Sequence, residues 1–252
     1  MLPRTLLDDA TRRQLSENKE LGCGNFLTTA VSVNPNASLP LFEMNVPVET
    51  IIGCYDDLSL VDFKEISDAY AAFYYGNGIR SKDPVAVYID EGVLNLIQYT
   101  ALTSIGAIPA LINGNMKPEI AAGFVKKIGA VALFTDATHV TEVSKELEGH
   151  PLTFIATNES IPKMGEPRLP SRFPFHHVDN DPVLIGHSSG TTGIPKAVVF
   201  HHQQFFYGIR YRLSLPFPLG SERMVSALPH SHSAGIAYAM LSMLNGCSSM
   251  IL

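Results

Sequence analysis

Three short runs of consecutive apolar residues lie in the first half of the chain, at 85–89, 107–112 and 131–134. They read VAVYI, AIPALI and VALF, without the polar–apolar alternation of a half-exposed strand. Strands of this kind are buried on both faces, as in parallel sheets covered by helices. Apolar residues with helical spacing follow the first two runs, over 93–104 and 118–128. This order predicts an α/β fold, with a parallel sheet in a layered αβα architecture.

The segment from Gly92 to Ile112 contains no charged residue and is long enough to be considered as a membrane span. Polar residues and Pro109 interrupt it, and Gly106 lies in its second half. A buried helix from Val93 to Ser104, followed by a turn and a strand from Ile108 to Ile112, explains this pattern better. We therefore interpret the chain as soluble, with no transmembrane segment.

The composition excludes several classes of protein. Hydrophobic residues make up 46% of the 252 positions, which excludes a disordered or fibrous chain. The 24 acidic residues outnumber the 18 basic ones, which argues against a nucleic-acid partner held through its phosphates. The 3 cysteines form no CxxC pair and the N-terminus resembles no secretion signal, so we expect reduced thiols and a cytoplasmic location.

The regular pattern of helices and strands begins near residue 60, where Asp62 and Glu65 indicate a capping box at the start of a helix. Residues 1–54, which contain the stretch VNPNASLP, are expected to form an N-terminal arm. Residues 55–252 are expected to form part of one large domain. The last apolar run of that domain, from Cys247, predicts a strand that nothing covers, so we interpret the chain as part of a longer polypeptide. The alternative is a natural terminus on an edge strand.

The strongest local signal is the sequence SSGTTGIPK, from Ser188 to Lys196. Its glycines allow a tight turn with outward N–H groups, its hydroxyl groups add donors, and Lys196 adds a positive charge. Such a loop can bind the oxygens of a polyphosphate. Pro195 stands where a Walker A loop requires glycine, and β-branched flanks predict a strand–loop–strand hairpin instead. The alternative is an exposed hairpin loop without function, but seven fixed positions would match by chance only on the order of once in a million.

The loop resembles the phosphate-binding signature of the adenylate-forming (AMP-binding) superfamily. The stretch GAIPALINGNMKPE, from Gly106 to Glu119, resembles the second core region of that family. Residues 228–238 resemble the fourth region, a Pro-x-x-His-x-x-Gly pattern matched by Pro229, His232 and Gly235. The sequences ALIN-x-N, PKA and HSAG look most like the branch of very-long-chain acyl-CoA synthetases and fatty-acid-transport proteins.

The resemblance implies a two-step reaction. A carboxylate attacks the α-phosphate of ATP to give an acyl-adenylate and pyrophosphate, and coenzyme A then displaces AMP. It also implies Mg²⁺ as a bridge between phosphates, with no metal ligand assigned in this chain. The resemblance gives catalytic roles to Lys196 and His232, and places His232 and Gly235 in an acyl pocket. The residues implied in binding the ATP phosphates are Ser188, Ser189, Gly190, Thr191, Thr192, Gly193 and Lys196.

Alternatives remain open for the residues that follow the loop. His232 is either part of the acyl pocket or a structural histidine that caps the next helix. A metal site made of His230 and His232 lacks a third ligand at zinc spacing. The small residues of that helix either leave space for an acyl chain or simply allow close packing; they are Ala234, Gly235, Ala237 and Ala239.

In the family, the adenine-binding motif, the acid that binds ribose, the hinge and the C-terminal domain all follow the regions matched here. We therefore expect the 252-residue chain to be the N-terminal half of an acid–thiol ligase for a small-molecule carboxylic acid, and to be inactive alone. One alternative is an adenylation domain that loads a carrier protein. Another is a non-catalytic remnant that binds anions. The complete phosphate loop favours the ligase, because a remnant would have no reason to keep every donor together with the lysine.

Overall fold

The computed structural model describes residues 5–162, 169–188, 193–215, 223–226 and 228–251. The helices assigned within these ranges are α1 (Asp9–Glu17), α2 (Phe26–Val33), α3 (Leu60–Gly76), α4 (Val93–Ser104), α5 (Pro118–Lys127), α6 (Val140–Glu146), α7 (His202–Ser214) and α8 (Ser233–Asn245). The strands are β1 (Pro40–Glu49), β2 (Cys54–Ser59), β3 (Pro84–Ile89), β4 (Ile108–Asn113), β5 (Ala132–Thr135), β6 (Ile155–Ala156), β7 (Pro182–Ser188), β8 (Lys196–His201), β9 (Arg223–Ser226) and β10 (Ser248–Ile251).

The described strands form two sheets. One has six strands in the order β6-β5-β3-β4-β7-β8, and its pairs are parallel except for the antiparallel hairpin of β7 and β8. The other has four strands in the order β2-β1-β10-β9. In this sheet β1 and β2 are antiparallel, while β10 runs parallel to both β1 and β9.

Strand β3 shows why the larger sheet lies between two layers of helices. Val85 and Val87 join the core formed with α3 and α4, whereas Ala86 and Tyr88 join the core formed with α5 and α6. Successive side chains of a strand point to opposite faces, so an uninterrupted apolar run is buried on both sides of the sheet. The α/β class and the layered parallel sheet predicted from the sequence are therefore confirmed.

The uncharged segment that follows β3 folds as a buried helix and a buried strand, α4 and β4. Several polar side chains of α4 form hydrogen bonds inside the protein. The Tyr74 hydroxyl donates to Gln98 Oε1 at 2.5 Å, and the hydroxyls of Ser67 and Thr100 lie 2.7 Å apart. Among the helices of the described residues, none has both the length and the hydropathy that crossing a bilayer requires.

Helix α3 begins three residues earlier than the sequence pattern predicts. Ser59 is its N-cap: Ser59 Oγ accepts from the Asp62 N–H at 3.1 Å, and the Asp62 carboxylate accepts from the Ser59 N–H at 3.0 Å. This is a capping box. The predicted box of Asp62 with Glu65 is wrong, because Asp62 is the third residue of the helix rather than its cap.

The first fifty residues pack along the rest of the chain. Helix α1 contacts α7, α2 contacts α8, and β1 pairs with β10 through Phe42 opposite Ser249. The buried side chain of Asn34 donates to the Met243 carbonyl at 3.0 Å. The segment expected to be an arm therefore contributes a strand to the smaller sheet, and a domain boundary at residue 54 stays a prediction.

Candidate functional site

A cavity of about 840 Å³ opens between the ends of β4 and β7 and the turn that precedes α8. Asn113 from β4, with His187 and Ser188 from β7, forms one wall, and Pro229 and His232 from the turn form another. β4 and β7 are neighbouring parallel strands, so their carboxyl ends meet at the same edge of the sheet. In open α/β sheets this edge is where ligands bind.

The loop predicted to bind phosphate connects β7 and β8. Ser188 pairs with Lys196 in an antiparallel ladder, which confirms the predicted hairpin. Gly193 lines the cavity, and its φ of +111° lies in the left-handed region that favours glycine. Outside the described residues lie Ser189, Gly190, Thr191 and Thr192.

Two contacts with α5 hold the second half of this loop. The Cδ1 atom of Ile194 lies 2.6 Å from the position that a β-carbon on Gly123 would occupy, so any larger residue at 123 would displace Ile194. Lys127 Nζ donates to the Pro195 carbonyl at 2.9 Å. The sequence pattern does not indicate these contacts, because they join residues of two separate elements.

Lys196 is the first residue of β8, and its side chain is exposed. None of the acidic residues in the described ranges forms an ion pair with it. The ammonium group is therefore available to an anionic ligand beside the loop. Pro195, Val198 and Phe200 line the cavity but Lys196 does not, and the catalytic role of Lys196 stays a prediction.

His232 both caps a helix and lines the cavity. It is the N-cap of α8, where its Nδ1 atom accepts from the Ala234 N–H at 3.2 Å. Since Nδ1 accepts this hydrogen, the neutral ring carries its proton on Nε2. The helix cap that the sequence left as an alternative is observed, and a role for His232 with substrate stays a prediction.

Gly235 is buried in the first turn of α8, under the preceding turn of chain. A β-carbon at this position would lie 2.1 Å from the Pro229 carbonyl oxygen, which no side chain tolerates. Glycine is therefore required for the close approach of α8 to the turn. Gly235 lies outside the described lining of the cavity, so its predicted place in an acyl pocket stays a prediction.

Glu91, two residues after β3, holds the turn that carries His232. Its carboxylate accepts from the backbone N–H groups of His230 and Ser231, and both of its oxygens lie within 3.3 Å of the Ser231 nitrogen. Glu91 is separated from this turn by about 140 positions, and it belongs to no motif. No local signal in the sequence identifies it.

His187 lies next to the phosphate loop, but the sequence pattern does not single it out. Its Nε2 atom accepts from the Asn113 N–H at 3.3 Å, and its ring meets Phe124 edge to face at 6.0 Å. Burial lowers the pKa of His187, and positive charge on His232 lowers it further. The neutral ring is therefore favoured in the cavity.

Asp90, Asp136 and His139 bring possible metal ligands within 4.8 Å of one another. However, His139 Nδ1 lies 2.6 Å from the Asp136 carboxylate, and His139 Nε2 donates to the Gly114 carbonyl at 2.9 Å. Both ring nitrogens of His139 thus already contact oxygen atoms of the protein. This cluster therefore joins the loops that follow β3, β4 and β5.

The fold and the loop place the chain among α/β proteins that bind a ligand at the carboxyl edge of a parallel sheet. Residues 45–252 match the family described as AMP-binding enzyme. The chain belongs to this family.

Three proteins illustrate the similarity. The chain is 33% identical over 240 residues to a 3-aminoavenalumate diazotase of Streptomyces sp, covering 95% of the chain and 42% of that relative. It is 26% identical over 207 residues to a 2-succinylbenzoate–CoA ligase of Geobacillus sp. (strain WCH70), covering 80% of the chain and 40% of that relative. It superimposes on a Mycobacterium tuberculosis fatty acyl CoA synthetase with a TM-score of 0.75 and 17% identity, covering 97% of the chain and 45% of that protein. The chain thus spans less than half the length of each of these proteins.

Proposed function

We propose that the chain is the N-terminal half of an enzyme that adenylates a carboxylic acid with ATP and transfers the acyl group to coenzyme A. The observation that carries this function is the cavity shared by the loop hairpin and His232. Ser188 and Gly193 border it on one side, and the turn from Pro229 to His232 borders it on another. A carboxylate held near His232 would lie beside phosphates held by the loop.

The residues in and around the cavity suit the first half-reaction. A carboxylate oxygen attacks the α-phosphorus of ATP, and the bond to the pyrophosphate oxygen breaks. The departing pyrophosphate gains charge, which N–H groups, hydroxyls and the Lys196 ammonium stabilise. Mg²⁺, bound with ATP, would supply further positive charge to the phosphates. His232 Nε2–H would orient the carboxylate as its oxygen approaches phosphorus.

In the second half-reaction, the thiol of coenzyme A attacks the acyl carbon and AMP leaves. Membership in the AMP-binding family and the CoA ligases among the similar proteins support this acceptor. The resemblance of the loop and turn sequences to very-long-chain acyl-CoA synthetases makes fatty acids the first carboxylic acids to test.

The test uses the protein in its full natural length, with radiolabelled pyrophosphate exchange into ATP as the readout of adenylation. Carboxylic acids of increasing chain length and aryl acids are supplied one at a time, followed by coenzyme A with AMP release as the second readout. We expect exchange with at least one class of acid and AMP release that depends on coenzyme A. Thioester formation only on a carrier protein would show that the acceptor is wrong. If none of the acids supports pyrophosphate exchange, the proposed reaction is wrong.

The 252-residue chain alone gives a further prediction. In the family, contacts to adenine and ribose and a second catalytic lysine come from segments after the matched regions. We expect the isolated chain to bind ATP weakly and to form no acyl-CoA. Acyl-CoA production by the purified 252 residues, free of longer protein by mass spectrometry, would contradict this.

One relative favours a second candidate function. The diazotase matches 95% of the chain at 33% identity, and its name describes the formation of a diazo group from an amino compound. An AMP-binding enzyme could achieve this by adenylating nitrite instead of a carboxylate. A nitrite oxygen would attack the α-phosphorus and pyrophosphate would leave. The amine nitrogen would then attack the nitrite nitrogen, AMP would leave, and loss of water would give the diazonium group.

Nitrite distinguishes the two candidates in the same assay. A carboxylate-activating enzyme exchanges pyrophosphate with acid alone, whereas a diazotase exchanges it with nitrite alone. An aromatic amine then gives a coloured diazonium adduct with a naphthol only in the second case. Pyrophosphate exchange that occurs with nitrite and with none of the carboxylic acids would favour the diazotase over the ligase.

A further inference from the structure

His187 lies at the edge of the larger sheet, where the phosphate loop and the turn that carries His232 border one cavity. It is the second-last residue of β7, and Ser188, the first residue of the phosphate loop, follows it directly. In the proposed reaction, a ligand bound by His187 in this cavity would lie near the phosphates bound by the loop. Both residues line the same cavity as His232.

The hydrogen bond to Asn113 determines which nitrogen of His187 carries a proton. An N–H group can only donate, so Nε2, 3.3 Å from the Asn113 nitrogen, must supply its lone pair. The neutral ring then has its hydrogen on Nδ1. No described residue accepts a hydrogen bond from that atom.

His232 shows the complementary arrangement across the cavity. Its Nδ1 atom accepts from the Ala234 N–H, so its hydrogen is on Nε2, which also has no acceptor among the described residues. In the neutral form of each ring, the backbone N–H fixes the tautomer and leaves one N–H donor to face a ligand. The groups that such a pair of donors suits are the oxygens of a small anion.

Neutral donors are well suited to an anion that must attack ATP. A fully charged partner would stabilise the free anion strongly, which raises the barrier to its reaction. Uncharged N–H groups orient the oxygens and leave the negative charge on the attacking atom. Burial favours the neutral ring of His187.

We infer that His187 binds the oxyanion substrate by donating its Nδ1–H to a substrate oxygen, while His232 donates Nε2–H to the same anion. His187 can have this role only if the proposed adenylation of an oxyanion holds. A carboxylate and a nitrite each present two oxygens on one atom, so both fit this pair of donors. The assays with acid and with nitrite separate these two sources.

Two substitutions separate binding from a structural role. The side-chain amide of His187→Asn places an N–H₂ group near the position of Nδ1 but does not reach Asn113. The longer side chain of His187→Gln places an oxygen near Nε2, which can accept from Asn113, but has no donor at Nδ1. A binding role predicts recovery with asparagine, whereas a structural role predicts recovery with glutamine.

The experiment measures pyrophosphate exchange by the full-length protein, with the oxyanion and ATP varied separately. We expect His187→Gln to raise the KM for the oxyanion about tenfold, as loss of one hydrogen bond to a charged group predicts, and His187→Asn to raise it about threefold or less. The KM for ATP should change less than about twofold in both variants, because the loop is intact. Thermal unfolding of both variants confirms that they are folded.

Each outcome is decisive. Exchange by the wild-type protein with neither acids nor nitrite would overturn the proposed function and the role of His187 together. Wild-type exchange, with a normal oxyanion KM for His187→Gln and a raised one for His187→Asn, would leave the function standing and overturn the role of His187. A ¹⁵N spectrum of the histidine rings gives a readout without activity. We expect the Nδ1–H tautomer for His187, and the Nε2–H tautomer would contradict its role as a donor.

Discussion

Lys196 and His232 differ in how much the stability of the fold depends on them. His232 caps α8 through its Nδ1 atom, so any substitution there also removes a helix cap. Lys196 is exposed and forms no ion pair with the described acids, so its charge contributes nothing that the fold needs. Substitution of Lys196 therefore tests phosphate binding separately from stability.

We expect Lys196→Ala in the full-length protein to reduce adenylation by about a hundredfold or more, because a positive charge beside the departing pyrophosphate is lost. Lys196→Arg should recover part of this activity, since it keeps the charge with a different shape. The free energy of unfolding should change by less than about 0.5 kcal/mol in both variants. Pyrophosphate exchange and urea unfolding measure the two effects, and full activity of Lys196→Ala would remove the lysine from the phosphate site.

His177 and His202 form a stacked pair of imidazoles with ring centroids 5.7 Å apart. Their ring nitrogens are buried without a hydrogen-bond partner among the described residues. Burial and, to a smaller extent, positive charge on His202 lower the pKa of His177 to about 4, although Asp181 opposes them. Burial also lowers the pKa of His202.

This pair should make the fold sensitive to acid. The folded state favours neutral His177, whereas in the unfolded chain its pKa returns to about 6.5. As pH falls from about 6.5 to about 4, the unfolded state binds the proton first, and stability decreases by at most roughly 3 kcal/mol from this group. Urea unfolding at pH 7.5 and pH 5 should show a smaller loss for His177→Phe than for wild type. The matched control is the exposed His176→Phe, and equal losses in all three proteins would contradict this cause.

The sequence predicts candidate site residues only where neighbouring positions together form a motif. Glycines, hydroxyls and a lysine within nine positions predict a phosphate loop, because the chemistry of such a loop lies in its own backbone and side chains, and its binding of phosphate stays a prediction. His187 and Glu91 were not found, since their partners Asn113 and Ser231 lie far away in sequence. Only the fold shows that these side chains border the loop or support the turn.

Helices and strands also differ in how well their own sequence predicts them. Helix α4 runs from Val93 to Ser104, as its uncharged pattern predicts, because apolar periodicity belongs to the element itself. Strand β1 was missed. Its sequence PLFEMNVPVE has two prolines, and it is a strand because β2 and β10 pair with it, the latter about 200 residues later in the chain.

The turn before α8 is the element whose position depends most on one distant side chain. Glu91 accepts from the N–H groups of His230 and Ser231, next to the residue that caps α8 and lines the cavity. We expect Glu91→Ala to destabilise the protein by about 1–3 kcal/mol, because these N–H groups lose a charged acceptor. We also expect the kcat/KM of adenylation to fall by about tenfold, since His232 loses its support.

Glu91→Gln is the informative second variant, because its amide oxygen can still accept from the turn. It should recover most of the kcat/KM, with a KM for ATP close to wild type. Glu159→Ala, a nearby exposed acid on the wall of a neighbouring cavity, is the control for loss of negative charge. If Glu91→Ala, once shown to be folded, keeps the kinetics of the wild-type protein, then Glu91 does not position this turn.

Across the whole molecule, segments from the two ends of the sequence pack together. Arg210 on α7 donates to the Leu21 carbonyl at 2.5 Å, and Asn34 donates to the Met243 carbonyl at 3.0 Å. Helices α1 and α2 therefore cover α7 and α8, the elements that follow the hairpin and the turn of the candidate site. The sequence alone could not show this, because a segment with prolines and asparagines has the pattern of an exposed arm.

Asn36 connects three parts of the chain with one side chain. Its Oδ1 atom accepts from the Thr5 N–H at 3.1 Å, and its Nδ2 atom donates to the carbonyls of Thr5 and Gly246 at 2.8 and 3.0 Å. Gly246 is the residue at which α8 ends, with φ of +81°. The side chain thus ties the N-terminal segment to the connection between α8 and β10.

We expect Asn36→Ala to lower the free energy of unfolding by about 2–3 kcal/mol, because it leaves buried backbone groups without their partners. The exposed Asn180→Ala is the matched control and should change stability by less than about 0.5 kcal/mol. Urea unfolding measures both, and hydrogen exchange should show faster exchange in α8 and β10 for Asn36→Ala only. Equal stability of the two variants would mean that the N-terminal segment is held by its apolar contacts with α7 and α8, without help from this polar connection.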